Sequence, residues 1–270
     1  MIIVVSDVHL GYEKSDKKNF EDFITNYVSE ITSRNDCFIL LGDIFDFWRK
    51  KNLDCFLRSD AILKKILSLD AKIYYVVGNH DYYMLKLMRR FEEYEAFEIR
   101  KHLRLNKEGI PLLFIHGYEL DVFVNYEPMT LWEYEKISEE LCGTRNLAGK
   151  IMSELWGLKR KIKRPPGKRK SWTRGKRFSL LKVDDMGIIE KFALSAGKNI
   201  LLGMKRNEKL IFGHTHRPFL SEDTANTGSW VKDALPEYEI DTYIKIEDKE
   251  IKLNKWENGR EREIKTCIVE

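Results

Sequence analysis

The sequence has few of the residues that mark unusual folds. Its 270 residues include 6 Pro, 16 Gly and 4 Cys, which excludes collagen-like, low-complexity and disulfide-rich proteins. The cysteines lie far apart, unlike the close pairs of zinc knuckles and redox dithiols, so we expect buried thiols in a reducing compartment. No apolar run approaches the ~18 residues needed to cross a bilayer, and the N-terminus has no basic leader. We therefore expect a soluble, cytoplasmic protein that can also lie at a membrane surface.

The positive charge is concentrated in one segment. The formal net charge is only +4, yet residues 159–177 contain eleven Lys or Arg and no acid, so the rest of the chain is net acidic. This segment has three interpretations: a solvated loop, a phosphate or nucleotide clamp, or a surface for nucleic acid or anionic lipid. Trp156 and Trp172 accompany it and suit either base stacking or an acyl boundary.

The hydrophobic pattern predicts an α/β layered fold, because short apolar runs alternate with amphipathic segments. We expect strands at 2–5, 38–41, 73–77, 112–115 and 209–212, helices at 20–31, 57–69, 82–91, 131–141, 147–162 and 184–194, and a C-terminal hairpin within 239–256. The alternation stops after residue 125. We therefore divide the chain into a first core part, 1–125, a helical basic insertion, 126–182, and a second core part, 183–270.

A polar cluster follows each of the five expected strands. These clusters are Ser6-Asp7-Val8-His9, Gly42-Asp43, Gly78-Asn79-His80-Asp81, His116-Gly117 and Gly213-His214-Thr215-His216. Ligands of layered α/β proteins gather outside the carboxyl ends of the strands, so clusters that span more than 200 residues can meet in one crevice. Five of the six histidines lie in these clusters.

The residue types in these clusters indicate a metal centre. Carboxylate, imidazole and amide ligands without thiolate suit manganese, iron or zinc. Asp7 and His9 are two residues apart, as are His214 and His216, so in extended backbone each pair would point to one centre. The candidate ligands are Asp7, His9, Asp43, Asn79, His116, His214 and His216. Seven ligands exceed the need of one ion and fit two ions about 3.5 to 4 Å apart that share a carboxylate, for which Asp43 is the natural bridge.

In this order, the motifs Asp-x-His, Gly-Asp-x-x-Asp, Gly-Asn-His-Asp, His-Gly and Gly-His-Thr-His resemble those of the calcineurin-like metallophosphoesterases. The resemblance implies a β-sandwich flanked by helices. It implies one ion held by Asp7, His9, Asp43 and His216, and another held by Asp43, Asn79, His116 and His214. It also implies that His80 is a histidine that is not a ligand and that stabilises the transition state or protonates the leaving oxygen, and that Asp46 is an orienting carboxylate.

Three further segments resemble the UDP-2,3-diacylglucosamine pyrophosphohydrolase branch of that family. They are Gly42-Asp43-Ile44-Phe45-Asp46-Phe47-Trp48, His214-Thr215-His216-Arg217-Pro218 and Asn226-Thr227-Gly228-Ser229-Trp230. That branch places a helical lid between its His-Gly and Gly-His-x-His motifs, which here are separated by the 97 residues between His116 and His214. Two positions depart from the branch, which typically has Arg at the position of His80 and Asp at the position of Tyr118.

These features together predict a dinuclear metal-dependent hydrolase of phosphoester or pyrophosphate bonds. We expect two divalent ions, manganese first and iron or zinc as alternatives, and a UDP-sugar-lipid-like or nucleotide-linked substrate. The expected substrate contacts are Arg174, Lys176, Arg177 and Arg217. One alternative is a nuclease or cyclic-nucleotide phosphodiesterase that binds a phosphate backbone through residues 159–177, and another is a non-catalytic interaction module.

Overall fold

Two β-sheets packed face to face form the centre of the molecule. The computed structural model describes residues 1–91, 94–143, 186–232, 235 and 237–269. The strands are β1 (Ile2–Val5), β2 (Cys37–Leu41), β3 (Lys72–Val76), β4 (Phe97–Arg100), β5 (Leu103–Lys107), β6 (Ile110–Phe114), β7 (Lys209–Phe212), β8 (Phe219–Leu220), β9 (Thr224–Asn226), β10 (Thr242–Glu247), β11 (Glu250–Glu257) and β12 (Arg260–Ile268). The seven-stranded sheet has the order β12-β11-β10-β1-β2-β3-β4, and the five-stranded sheet has the order β5-β6-β7-β9-β8.

Helices cover the outer faces of both sheets. They are α1 (Lys17–Phe23, which continues through a wide π-helical turn, Ile24–Val28, to Ser29–Ile31), α2 (Asn52–Leu67), α3 (Met84–Leu87, followed by the 3₁₀ turn Met88–Phe91), α4 (Tyr118–Asn125), α5 (Leu131–Gly143), α6 (Ile188–Ala193) and α7 (Gly197–Leu202). In the part of the chain that the structure describes, no helix is long and apolar enough to cross a membrane.

Each sheet contributes one face to the core between the sheets. Successive residues of a strand point to opposite faces, so Ile2 and Val4 lie between the two sheets, whereas Ile3 and Val5 face the helices. Both faces of β1 are therefore buried, which explains why its sequence is uniformly apolar rather than alternating.

The parallel register brings several strand ends to one edge of the sandwich. β1, β2 and β3 run parallel, with Val5 opposite Leu40 and Leu41 opposite Val76. In the second sheet β6 and β7 also run parallel, with Phe114 opposite Ile211. The loops that follow these five strands carry all five predicted polar clusters.

The expected strands, the sandwich and the C-terminal hairpin, formed by β10 and β11, are confirmed, whereas the expected bounds of helix α2 were wrong. Helix α2 begins at Asn52 rather than at residue 57. The apolar pattern misled here because Leu53 and Leu57 are exposed, and the buried face is formed by Cys55, Ser59, Ile62 and Ile66. The C-terminal hairpin has a third strand, β12, whose charged edge gave no apolar signal.

The middle of the predicted insertion lies outside the described residues. Its first helix is confirmed as α5, Leu131–Gly143. The helix expected at 147–162 and the basic segment 159–177 belong to the residues that the structure does not describe. The helix expected at 184–194 is shorter and spans Ile188–Ala193. The division at residues 125 and 182 therefore stays a prediction.

Candidate metal centre

The candidate ligands converge at the carboxyl ends of β1, β2, β3, β6 and β7. Three groups of His and Asp residues have ligand atoms within 4.8 Å of one another. They are Asp7 with His9 and His216, His9 with Asp43 and His80, and Asp43 with His116 and His214. Because these groups share members, they form one continuous cluster of carboxylates and imidazoles.

Asp43 lies at the centre of this cluster. Its Oδ2 atom is 3.7 Å from Nε2 of His9 and 3.2 Å from Nε2 of His116. On the far side of His9, Nε2 of His216 is 3.1 Å from Oδ1 of Asp7. The Asp43 carboxylate thus contacts histidines from both halves of the cluster, which is the position that a shared ligand of two cations requires.

Four buried polar atoms in the cluster form no hydrogen bond with any described residue. They are Oδ1 of Asp7, Nε2 of His9, Oδ1 of Asn79 and Nε2 of His116. Leaving a buried polar atom without a hydrogen bond costs about 1–3 kcal/mol. Oδ1 of Asp7 and Nε2 of His116 have ionic contacts only, with His216 and Asp43, so the four atoms together leave room for a further partner. All four belong to candidate ligands, and their oxygen and imidazole nitrogen chemistry fits a divalent transition metal.

The backbone of the ligand loops differs from the extended form assumed for the sequence. Asp7 and His9 have φ angles of 53° and 52°, and His214 and His216 have 66° and 58°. These left-handed conformations are strained for residues with a Cβ atom and cluster at functional sites. The expectation that each pair chelates one centre was wrong for His214 and His216, which fall in separate ligand groups. The left-handed turn directs the two rings to opposite ends of the cluster.

Two glycines make room for the ligands. A Cβ atom on Gly42, whose φ is +80°, would lie 2.4 Å from the ring of His116. A Cβ atom on Gly78 would lie 2.2 Å from Oδ1 of Asp43. Both distances are far below van der Waals contact, so any other residue would displace a candidate ligand.

The carboxylates favour positive charge on two buried histidines. Burial by itself would lower the pKa of His116, but the charges of Asp43 and Asp7 raise that pKa to about 10. Burial likewise opposes the charged form of His9, yet hydrogen bonds to Asp46 and Asp7 and the charge of Asp43 raise its pKa to about 9. The same carboxylates would therefore attract metal cations.

Asp46 holds two imidazoles at once. Its Oδ2 accepts a hydrogen bond from Nδ1 of His9 at 3.0 Å, and its Oδ1 accepts one from Nδ1 of His80 at 3.1 Å. Arg49 forms an ion pair with the same carboxylate. Burial by itself would raise the pKa of Asp46, but His80, His9 and Arg49 hold it well below its ordinary value. The predicted orienting carboxylate thus lies where it can orient both rings.

His80 is enclosed on several sides. The Trp48 ring stacks on it with a centroid distance of 4.2 Å, and the backbone carbonyl of His80 accepts a hydrogen bond from the Cys142 thiol. Burial lowers the pKa of His80, although the charges of Asp46 and Asp43 favour its protonated form. His80 also belongs to one of the three ligand groups, so its predicted role without a metal contact stays a prediction.

The segment Asn226–Trp230 supports both ends of the cluster, which sequence reasoning missed. Ser6 donates a hydrogen bond to Asp7 and exchanges another with Thr227, and Ser229 donates to the backbone carbonyl of Asp7 at 3.2 Å. The Asn226 amide donates to the carbonyl of Gly213 at 2.7 Å. The sequence connected this segment only with the family resemblance, and the structure places it in the interior beside the candidate ligands.

Asp81 connects the loop after β2 to the loop after β3 through hydrogen bonds. Its carboxylate accepts hydrogen bonds from the backbone amides of Gly78 and Ile44 at 2.6 and 2.7 Å and from the Tyr75 hydroxyl at 2.6 Å. The side chain is fully buried, and burial with the nearby charge of Asp43 raises its pKa to about 6. Asp81 therefore joins the loop of Asp43 to the loop of Asn79.

The predicted substrate contacts lie largely outside the described residues. Arg174, Lys176 and Arg177 belong to the part that the structure does not describe. Arg217 follows the candidate ligand His216, and its Nη1 donates to both carboxylate oxygens of the buried Glu190 at 3.3 Å. Arg217 thus links the Gly-His-Thr-His turn to helix α6, and its contact with substrate stays a prediction.

Comparisons with known proteins agree with this geometry. The calcineurin-like phosphoesterase family model matches residues 1–218. A UDP-2,3-diacylglucosamine hydrolase of Shewanella sp. is 24% identical over 228 residues, which cover 82% of this chain and 83% of that protein. An Arcobacter nitrofigilis protein named as a probable glycerophosphodiester phosphodiesterase is 30% identical over 121 residues, which are 43% of this chain and 42% of that protein.

Among solved structures, a dimetal phosphatase from Danio rerio has a TM-score of 0.47 and 13% identity, over 93% of this chain and 94% of that chain. The family match spans all five motif clusters that the fold brings together. The chain therefore belongs to the calcineurin-like phosphoesterase family and is a metal-dependent phosphoester hydrolase.

Proposed function

We propose that the protein uses two divalent cations to hydrolyse a phosphodiester or pyrophosphate bond in a nucleotide-linked or lipid-linked substrate. The observation that carries the proposal is the central position of Asp43, with its Oδ2 between His9 and His116, together with the four ligand atoms of the cluster that form no hydrogen bond with a described residue. Asp7, His9, Asp43 and His216 would hold one ion. Asp43, Asn79, His116 and His214 would hold the other.

The charge of the site suits an anionic substrate. When bound, the two ions supply Lewis acidity and lower the pKa of water toward neutrality. Two divalent ions outweigh the two carboxylates of Asp7 and Asp43, so the centre would attract a phosphate group. We propose manganese as the native metal, with iron or zinc as alternatives, because the ligand set contains both imidazole and carboxylate and lacks thiolate.

His80 is the residue proposed to move a proton. Asp46 accepts the hydrogen bond from its Nδ1, so Nε2 is the atom left to accept a proton or pass one to a leaving oxygen. Trp48 restricts the ring to one orientation. Asp46 acts through His80 and His9 and is therefore a positioning residue in this proposal.

The names of two relatives support a particular class of substrate. A protein of similar length, matched over most of both chains, is named as a UDP-2,3-diacylglucosamine hydrolase, and a second relative is named for a phosphodiesterase activity. A diphosphate joined to a sugar lipid or a nucleotide is the substrate that combines these features. Residues 126–182 would act as the lid over it, and Arg174, Lys176, Arg177 and Arg217 would contact its anionic groups.

A substrate panel tests this proposal. The purified protein is assayed with Mn²⁺ on UDP-sugar lipids, nucleoside diphosphates, cyclic nucleotides and single-stranded nucleic acid, and each assay is repeated with a chelator. Asp43→Asn protein, purified in parallel, controls for contaminating phosphatases. We expect fastest turnover on a pyrophosphate bond and loss of activity on chelation. Zero turnover on every substrate with manganese, zinc and iron would instead favour a non-catalytic interaction module.

The basic segment 159–177 supports a second candidate, a nuclease or cyclic-nucleotide phosphodiesterase. Binding along a nucleic-acid backbone releases counterions, so the affinity should fall by orders of magnitude between about 50 and 200 mM salt. A clamp on one nucleotide predicts a much shallower slope. A triple variant with Gln at positions 174, 176 and 177 should flatten the salt dependence in the first case and raise KM in the second.

A further inference from the structure

Asp121 contacts a candidate ligand that no sequence motif connected with it. It lies in helix α4, which begins directly after His116 and Gly117. Its Oδ2 atom is 2.8 Å from Nε2 of His214, and both side chains are at least 96% buried. A carboxylate in this position accepts a hydrogen bond from the imidazole N–H.

The other candidate histidines show what such a contact does. Nδ1 of His9 donates to Asp46 at 3.0 Å, and Nδ1 of His116 donates to the carbonyl of Leu41 at 3.0 Å. In both rings the opposite atom, Nε2, faces Oδ2 of Asp43, at 3.7 Å in His9 and 3.2 Å in His116. Each imidazole is thus held at one nitrogen by an acceptor outside the centre, which fixes its tautomer and leaves the other nitrogen as the ligand atom.

His214 has the opposite arrangement. Its Nε2 is the nitrogen that contacts a carboxylate outside the centre, Asp121, so the ring would offer Nδ1 to the centre. The ring lies edge-on to His116 with a centroid distance of 5.2 Å, and its ligand atom is within 4.8 Å of those of Asp43 and His116.

We propose that Asp121 is the positioning residue of the second metal site, fixing the tautomer of His214 with the proton on Nε2 and Nδ1 as the metal ligand. This inference rests on the dinuclear centre proposed above. The carboxylate is itself anchored, because Oδ1 of Asp121 accepts a hydrogen bond from the Asn125 side chain at 2.8 Å, one helical turn later. Helix α4 therefore carries the orienting group on the same element that follows the ligand His116.

Metal titration of three variants tests the proposal. Asp121→Leu removes the acceptor, Asp121→Asn keeps an acceptor oxygen without the charge, and Asn125→Ala removes the partner of the other carboxylate oxygen. Mn²⁺ stoichiometry and affinity are measured by calorimetry and elemental analysis, and circular dichroism checks the fold. Loss of a carboxylate that orients a ligand typically lowers metal affinity 10- to 100-fold. We expect that loss for one of the two ions in Asp121→Leu, a smaller loss in Asp121→Asn, and a change of less than about threefold in Asn125→Ala.

Nitrogen-15 NMR of the metal-free wild type provides a readout that is independent of activity and of the variants' folding. The His214 signals should report a proton on Nε2 in the wild type, and this preference should weaken in Asp121→Asn. Two ions bound to Asp121→Leu with wild-type affinity would overturn the inference, as would a wild-type His214 with its proton only on Nδ1. A wild type that binds no ion would contradict the dinuclear centre itself, so the two failures are distinguishable.

Discussion

Oδ2 of Asp43 lies 3.2 Å from Nε2 of His116, and the two side chains are 3% and 0% exposed. The attraction between opposite charges is large where water is excluded. The pKa of His116 therefore rises to about 10 despite the opposing effect of burial. In the metal-free protein a proton on this imidazole thus compensates the buried carboxylate. A metal ion that binds here must replace that proton.

Metal binding should therefore release protons. The pKa values of about 9 for His9 and about 10 for His116 keep both rings protonated at pH 8 in the metal-free protein, although the ordinary histidine value is 6.5. Both rings must lose their proton to become ligands, so we expect about two protons released for each pair of Mn²⁺ ions bound. Calorimetry in two buffers of different ionisation enthalpy measures this number, and metal affinity should rise with pH up to about 10.

The same pKa values make the stability of the metal-free protein depend on pH. A histidine whose folded pKa is raised stabilises the fold fully below pH 6.5 and ceases to do so as the pH rises through the folded value. The melting temperature of the metal-free protein should therefore fall between about pH 6.5 and 10. Saturation with Mn²⁺ should remove this fall, and a proton release near zero at pH 8 would contradict the charge assignment of both rings.

Replacing the carboxylate proposed to be shared by both ions should disable the centre without unfolding the chain. Asp43→Asn keeps the shape of the side chain and the oxygen that accepts from the His80 amide at 2.8 Å, but removes the charge that both ions would share. We expect turnover to fall at least about 100-fold and bound metal to fall below two ions. Metal analysis and steady-state kinetics measure both effects, and normal turnover with two ions bound would disprove the role of Asp43.

His80→Ala separates proton transfer from metal binding. We expect turnover to fall about 10²- to 10⁴-fold, the range for removal of a general acid or base, while the metal content stays close to that of wild type. His102→Ala serves as the matched control, because His102 is an exposed histidine outside the three ligand groups. Loss of an ion from His80→Ala would reassign His80 as a ligand, which its place in one ligand group permits.

Asp241 should destabilise the protein at neutral and alkaline pH. Burial and the nearby charge of Asp16 raise its pKa from 3.8 to about 7, so the folded state holds a proton that the unfolded state has lost. Stability from this group is therefore highest near pH 4 and is lost as the pH rises through 7. Asp241→Asn should be more stable than wild type by about 1–3 kcal/mol at pH 8 and unchanged near pH 4.

The backbone at position 241 accepts this substitution, because Asp241 has a φ of 60°, a conformation that Asn tolerates well. Asp248→Asn is the control, since Asp248 has a φ of 48° in an exposed turn. Denaturant unfolding at pH 4, 6 and 8 measures the difference. Equal stability of Asp241→Asn and wild type at pH 8 would show that the carboxyl is charged at no cost in the folded protein.

Much of the fold follows from local pattern. The segments around Ile2–Val5, Cys37–Leu41 and Lys209–Phe212 were predictable as strands because they are buried on both faces and thus continuously apolar. Strand β12 was missed because an edge strand carries charges instead of apolar residues. The start of α2 was missed because Leu53 and Leu57 are exposed, although in the sequence such apolar residues resemble the buried face of a helix.

The sequence by itself predicted which side chains meet in the candidate centre, because each candidate ligand follows an apolar run typical of a buried strand, and parallel strands end at one edge. Only the tertiary structure decided how these side chains are divided among the three ligand groups. Left-handed backbone at His214 and His216 separates two neighbours into different ligand groups, and helix α4 brings Asp121 to His214 across 93 residues of chain. Such contacts depend on the packing of distant elements, and residue spacing carries no information about that packing.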